Sequence, residues 1–144
     1  MAYRLAGGCH CGNIRADVVL SRPPSDFVPR ACDCDFCCKH GAAYVSDPEG
    51  ELTLRLREPG AVRRYAQGSG TADMLLCGRC GVMVAGLLCE GGRNFAAINV
   101  RIIDGESPFG ASRSASPKLL PVEDKVDRWK RLWFADVRIV EDGA

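Results

Sequence analysis

Seven of the nine cysteines in this 144-residue chain fall into three groups whose spacings are those of metal ligands. Cys32, Cys34 and Cys37 form Cys-x-Cys-x-x-Cys. Residues two apart in extended backbone point to the same side, and a Cys-x-x-Cys turn folds two thiols toward one point, so three thiols can converge on one ion. Cys9 and Cys11 lie before this stretch and Cys77 and Cys80 lie after it. Cys-x-Cys plus Cys-x-x-Cys completes a closed tetrahedral site from Cys9, Cys11, Cys77 and Cys80, whereas Cys32, Cys34 and Cys37 leave a tetrahedral ion with one open position. A closed site holds structure; an open one does chemistry.

Zinc is the metal that such all-thiol sets suggest, two ions per chain. Three anionic sulfurs make zinc a poorer Lewis acid than neutral histidines do, so water activation is not the first expectation for the open site. A substrate thiol as fourth ligand, held deprotonated beside an electrophile, fits better and points to carbon–sulfur chemistry on a small-molecule thiol. The alternatives are that the two outer pairs act independently, and that the central thiols form a second structural site completed by Cys38, His40 or Asp35. In that case the chain is a zinc-stabilised binding or structural module without catalysis. Lys39, Arg63, Arg64 and Arg101 are candidates for pairing with the carboxylates of an acidic thiol, against the alternative of ordinary solvated charge. Cys38 and Cys89 read as small buried hydrophobes, and His10 and His40 as residues outside the ligand sets.

The composition narrows the classes. A net charge of +1 supplies no excess of cations for a phosphate backbone, so no nucleic-acid partner is expected. No apolar run approaches the roughly 18 residues of a membrane span, and Met1 to Gly12 lacks the basic-then-apolar order of a secretory signal. The expectation is a cytoplasmic protein with no membrane partner, where clustered cysteines are ligands rather than disulfides. No phosphate loop, serine nucleophile motif or dinucleotide fingerprint is present. The length is that of a single domain, residues 1–144.

The elements that must hold the thiols are mostly strands. Tyr3 to Gly8 and Ile14 to Leu20 read as a hairpin with Cys9 and Cys11 at its tip, the second strand alternating Ile14, Ala16, Val18 and Leu20 with polar neighbours. Asp35 is placed to cap a short helical turn from Phe36 to His40, stopped by Gly41, which would set Cys37 near a helix N-terminus. Ala42 to Val45 and Glu51 to Arg57 are expected strands, and Glu58 to Gly70 an irregular crossing. Thr71 to Leu76 and Val82 to Leu88 should flank the Cys77–Gly81 knuckle, with a further strand from Phe95 to Ile103. Asp104 to Pro117 reads as a loop. Val122, Val126, Trp129 and Trp133 read as the apolar face of a helix, with the tryptophans as core rather than a ligand platform, and Asp136 to Val140 as a closing strand.

These residues resemble the glutathione-dependent formaldehyde-activating enzyme family, which includes centromere protein V. The likeness rests on Gly8-Cys9-His10-Cys11-Gly12, on Cys32-Asp33-Cys34-Asp35-Phe36-Cys37 followed by Lys39 and Gly41, on Tyr65 through Gly68-Ser69, and on Cys77-Gly78-Arg79-Cys80-Gly81. It covers about residues 1–105, leaving 106–144 as a C-terminal extension expected to pack on that core. The resemblance implies a mainly β fold, a zinc-containing β-tent of short antiparallel strands with at most one or two short helices. It implies structural zinc on Cys9, Cys11, Cys77 and Cys80, and catalytic zinc on Cys32, Cys34 and Cys37. The activity it implies is that of a carbon–sulfur lyase acting on a thiol adduct such as S-hydroxymethylglutathione, formed from glutathione and formaldehyde. Asp33 and Cys38 depart from the residues common at those positions in the family.

Overall fold

Alternation of apolar and polar residues builds a first sheet with one covered face. Its strands are β1 (Tyr3–Gly8), β2 (Ile14–Leu20), β5 (Glu51–Leu56) and β11 (Asp136–Glu141), in the order β1-β2-β5-β11. Ile14, Ala16, Val18 and Leu20 of β2 and Leu52, Leu54 and Leu56 of β5 all point inward and are buried, as a period of two requires. The computed structural model describes residues 2–66 and 70–142; Gly68 and Ser69, part of the family likeness, lie outside them.

The second sheet has seven strands. They are β3 (Arg30–Cys32), β4 (Tyr44–Val45), β6 (Val62–Ala66), β7 (Asp73–Cys77), β8 (Met83–Glu90), β9 (Arg93–Asn99) and β10 (Arg113–Ala115), in the order β10-β3-β4-β9-β8-β7-β6. Both faces of its centre are covered, which is why β8 reads as a nearly continuous apolar run. Leu75, Ala85, Leu87, Ala96 and Ile98 face the first sheet and share its core. Met74, Met83, Leu88, Phe95 and Ala97 face the other way, into a second core with Cys37, Tyr44 and Trp133. Two short helices, α1 (Asp35–His40) and α2 (Val122–Leu132), complete a mainly β fold. No helix among the described residues is long and apolar enough to cross a membrane.

Several local expectations are corrected. Cys34, not Asp35, caps α1: its Sγ accepts the Cys37 N–H at 3.4 Å, and Asp35 is the first helical residue. Gly41 ends the helix at φ 61°, the left-handed conformation that suits glycine. Within Glu58–Gly70, Val62–Ala66 is an edge strand, because it pairs with β7 from Val62↔Cys77 to Ala66↔Asp73. The strand expected at Phe95 to Ile103 starts at Arg93 and gives way to a 3-10 turn over Val100–Ile102. The loop after Asp104 contains β10, which pairs in parallel with β3, and β11 also pairs in parallel with β5, so not every strand pair is antiparallel.

Residues after Asp104 are tied to the centre of the molecule. Phe134 has no exposed surface, and its backbone exchanges two hydrogen bonds with Ala96, at 2.9 and 3.1 Å. Trp133 lies close enough to β8 that a Cβ added at Gly86 would stand 3.3 Å from its ring. The segment therefore brings α2 over the second face of the large sheet.

Candidate metal centres and their pocket

Two turns build the first cluster. The β1–β2 hairpin presents Cys9 and Cys11, and the β7–β8 turn presents Cys77 and Cys80; Gly12 (φ 84°) and Gly81 (φ 82°) close the two turns in a conformation that side chains rarely adopt. Register shifts between Leu75 and Leu76, just before the second turn. The four sulfurs lie within 4.8 Å of one another, with Cys9–Cys11 at 3.8 Å and Cys11–Cys77 at 3.6 Å. A tetrahedral ion with Zn–S bonds of about 2.3 Å needs sulfur–sulfur edges of about 3.8 Å, so the thiols fit such an ion. Backbone N–H groups of Ile14 and Arg79 point at Cys9 Sγ (3.2 Å) and Cys77 Sγ (3.4 Å), orientations that stabilise thiolates. Burial pushes the Cys9 thiol up to about 11. Burial opposes ionisation at Cys80 as well, but N–H groups of Cys11 and Val82 and the thiols of Cys77 and Cys9 bring it down to about 6.

The second cluster is Cys32, Cys34 and Cys37, whose sulfurs also lie within 4.8 Å of one another. Cys32 ends β3, Cys34 caps α1 and Cys37 stands in the first turn of that helix, so one strand-to-helix corner aims all three inward. Phe36 is held between Tyr65 (ring centroids 5.4 Å apart) and His40 (4.5 Å), which fixes the corner from outside. Cys37 is buried and its Sγ is 3.1 Å from Tyr44 Oη. Cys32 is lowered to about 6, chiefly by the Cys37 thiol and then by N–H and S–H groups of Cys34, against the opposing effect of burial. The same hydrogen bond to Cys32, with burial, drives Cys37 far up. Within the trio, Cys32 is thus favoured over Cys37 as the thiolate. Among the described residues no fourth cysteine, histidine, aspartate or glutamate joins it.

The three thiols line a cavity of about 130 Å³ between the large sheet, α1 and α2. Tyr44 and Met74 supply the sheet side; Trp129 and Trp133, stacked with centroids 4.9 Å apart, supply the helix side. The tryptophans are therefore a pocket wall as well as core, because α2 stands over a cavity instead of packing flat. Arg30, Lys125 and Arg128 also line it. Burial, with the nearby Arg128, brings the Arg30 guanidinium down to about 10, which still leaves it charged at neutral pH.

Sequence reasoning missed these three cations and named others. Arg63 Nη1 donates to the Gly60 carbonyl (2.8 Å), Arg64 lies 3.9 Å from Asp73, Arg101 Nε donates to the Gly41 carbonyl (3.1 Å), and Lys39 is exposed; none of the four lines the cavity. A signal was present: Arg30 is two residues from Cys32 on one strand, hence on its face, and Lys125, Arg128, Trp129 and Leu132 recur at helical spacing. Cys38 and Cys89 are exposed rather than buried. Cys38 follows Cys37 by about 100° of helix and turns outward. Cys89 shares the face of Leu87 but lies at the strand end, beside the Gly91–Gly92 turn.

No protein-family model matches the chain. Among solved structures it is similar to a crystal structure of a Rhodobacter sphaeroides protein determined as a structural-genomics target, with 29% identity over 72% of this chain and 92% of that one, and a TM-score of 0.56.

Proposed function

We propose that the protein is a carbon–sulfur lyase of the glutathione-dependent formaldehyde-activating type, with zinc in both cysteine clusters, that joins a small thiol to an aldehyde such as formaldehyde or reverses that addition. The observation that carries the reading is the meeting of Cys32, Cys34 and Cys37 at the wall of a pocket, three ligands with no fourth in reach among the described residues. A zinc ion held there would supply a position at which a substrate sulfur is kept as thiolate. In the addition, the sulfur–hydrogen bond breaks, a sulfur–carbon bond forms, and the carbonyl oxygen ends as a hydroxyl carrying the proton.

The chain's own residues suit that chemistry. Tyr44 Oη steadies the Cys37 sulfur, and the two tryptophans give a bound adduct an apolar wall to pack against. Cys9, Cys11, Cys77 and Cys80, joining two hairpins 66 or more residues apart, have the structural role. All nine cysteines are free, so the reading sets the protein in a reducing compartment, the cytoplasm.

The test is zinc content and formaldehyde exchange on protein purified without chelator. Wild type should hold two zinc ions and accelerate exchange of labelled formaldehyde with glutathione, read by exchange NMR. Cys34→Ser should hold one zinc, remain folded and lose the acceleration. Fully loaded wild type that leaves exchange at the buffer rate with glutathione and other small thiols would overturn the lyase reading.

A further inference from the structure

We propose that residues 113–116 form a strap that positions the sulfurs of the three-thiol centre, with Ser116 as its positioning residue, so that metal binding by Cys32, Cys34 and Cys37 is coupled to the docking of the strap. The inference rests on the reading of the trio as a metal centre and adds what holds its geometry. Cys32 ends a strand of only three residues. Toward the sheet interior that strand has a single bridge, Arg30↔Tyr44, two residues short of the ligand. On its other side β10 runs parallel to it over its full length, and the register sets Ala115 opposite Cys32. The ligand end of β3 is therefore held by a segment 83 residues later in the chain.

Beyond Cys32 the strap grips the residue that separates two of the ligands. Asp33 N–H donates to the Ala115 carbonyl at 2.9 Å, and Ser116 Oγ donates to Asp33 Oδ2 at 2.5 Å. In Cys-x-Cys the two backbone dihedrals of the middle residue govern where the second sulfur lies relative to the first. Here the backbone and the side chain of that residue are both tied to the strap. Cys34 Sγ in turn accepts the Cys37 N–H at 3.4 Å, which passes the placement on to the third sulfur. The hydrogen bond from Ser116 has a carboxylate acceptor and is partly buried, so it is stronger than one between neutral groups. Ala115 and Pro117 also line the cavity beside the thiols, which makes the segment that fixes the ligands a wall of the site as well. The coupling is reciprocal: what the strap adds to metal affinity, the metal returns to the docking of the strap.

Zinc release from the full chain, read against graded chelators, separates the two centres. Ser116→Ala should move the weaker step by about tenfold and leave the four-thiol step in place, because loss of an outer hydrogen bond that supports a ligand costs about 10–100-fold in metal affinity. Ser116→Thr keeps the hydroxyl and should keep both steps. The wild type gives a second reading that needs no variant: the Asp33 amide should exchange with deuterium oxide several-fold more slowly in the fully loaded protein than after chelator has removed the weaker zinc. A weaker step unmoved by Ser116→Ala, a loss as large in Ser116→Thr, or equal exchange of the Asp33 amide in the two states would overturn the strap. So would a shift of both steps with a lower melting temperature of the zinc-free protein, since that is general loosening and not positioning. A wild type that releases its zinc in a single step would bring down the metal-centre reading itself, and the strap with it.

Discussion

Tyr44→Phe tests whether the central thiols work as a metal centre, and the protein carries its own control. The hydroxyl is buried, and its Oη stands 3.1 Å from Cys37 Sγ, which is itself 1% exposed. Phenylalanine keeps the ring and removes a long, weak donation to Met83 Sδ at 4.0 Å together with the hydrogen bond with Cys37. If Cys37 is a thiolate in the loaded protein, that bond has a charged acceptor and contributes about 1.5–3 kcal/mol, a loss of roughly tenfold to a hundredfold in metal affinity. In the metal-free protein the same contact joins neutral groups and contributes about 0.5–1.5 kcal/mol, so the apo fold should be weakened only modestly. Competition with a graded series of zinc chelators reads both sites in one titration. Wild type should release zinc in two steps; the variant should shift the weaker step alone, because Tyr44 touches none of Cys9, Cys11, Cys77 and Cys80. Two steps at their wild-type positions would show that the hydroxyl supports no thiolate, and a shift of both would refute the separation of the sites.

Three further outcomes follow from the packing. Phe134→Ala should cost about 3–5 kcal/mol in urea denaturation, since the ring is fully enclosed by the core that unites the sheets; a loss under about 1 kcal/mol would mean that residues after Asp104 fold apart from that core. Gly7→Ala should be destabilising by about 1–3 kcal/mol or more, measured by thermal melting, because its Cβ would sit 2.0 Å from the Ile102 carbonyl oxygen, which no rotamer change relieves. Arg15 donates to Asp104 at 2.7 Å and holds that carboxyl below its ordinary value. Its contribution is therefore present above the unfolded-state carboxylate value and fades as pH falls through the folded one. NMR titration of the Asp104 carboxyl should give a depressed pKa that Arg15→Gln returns to normal.

The strands that carry the outer cysteines were legible because local pattern and final burial agree. In β2 and β5 every apolar residue of the alternation is buried, and the glycines beside Cys9, Cys11, Cys77 and Cys80 mark tight turns in the sequence itself. The division into four and three thiols needed only spacing, since two residues of extended chain and a four-residue turn fix where sulfurs point. The edge strands of the large sheet were not legible. Val62–Ala66 is largely exposed and Arg113–Ala115 spans three residues, so neither carries an alternating apolar face; their pairing is set by partners distant in the chain. The helix cap was misassigned because aspartate is a common capping residue, whereas here a thiol with a second role occupies the cap.

The phase of α2 explains why the thiols were found and the cations beside them were not. Taking Val122, Val126, Trp129 and Trp133 as the inner face assumes a helix laid flat on a core, for which the apolar stripe is the buried one. In the structure Val122 is 47% exposed, and the residues of this segment that reach the cavity are Lys125, Arg128, Trp129, Leu132 and Trp133. Val126, Trp129 and Trp133 do pack on the second core as expected, and both tryptophans also line the cavity, so the correction is that Val122 turns outward and that Lys125 and Arg128 share the inward side. A helix that roofs a pocket must offer apolar surface to the sheet and polar groups to whatever enters, so a mixed face is what its position demands. A stripe of cations interleaved with tryptophan is thus the sequence mark of a helix that lines a cavity as well as a core. The helix lies at residues 122–132, after the three cysteine groups, so the helix wall of the cavity and its thiol wall come from separate parts of the chain.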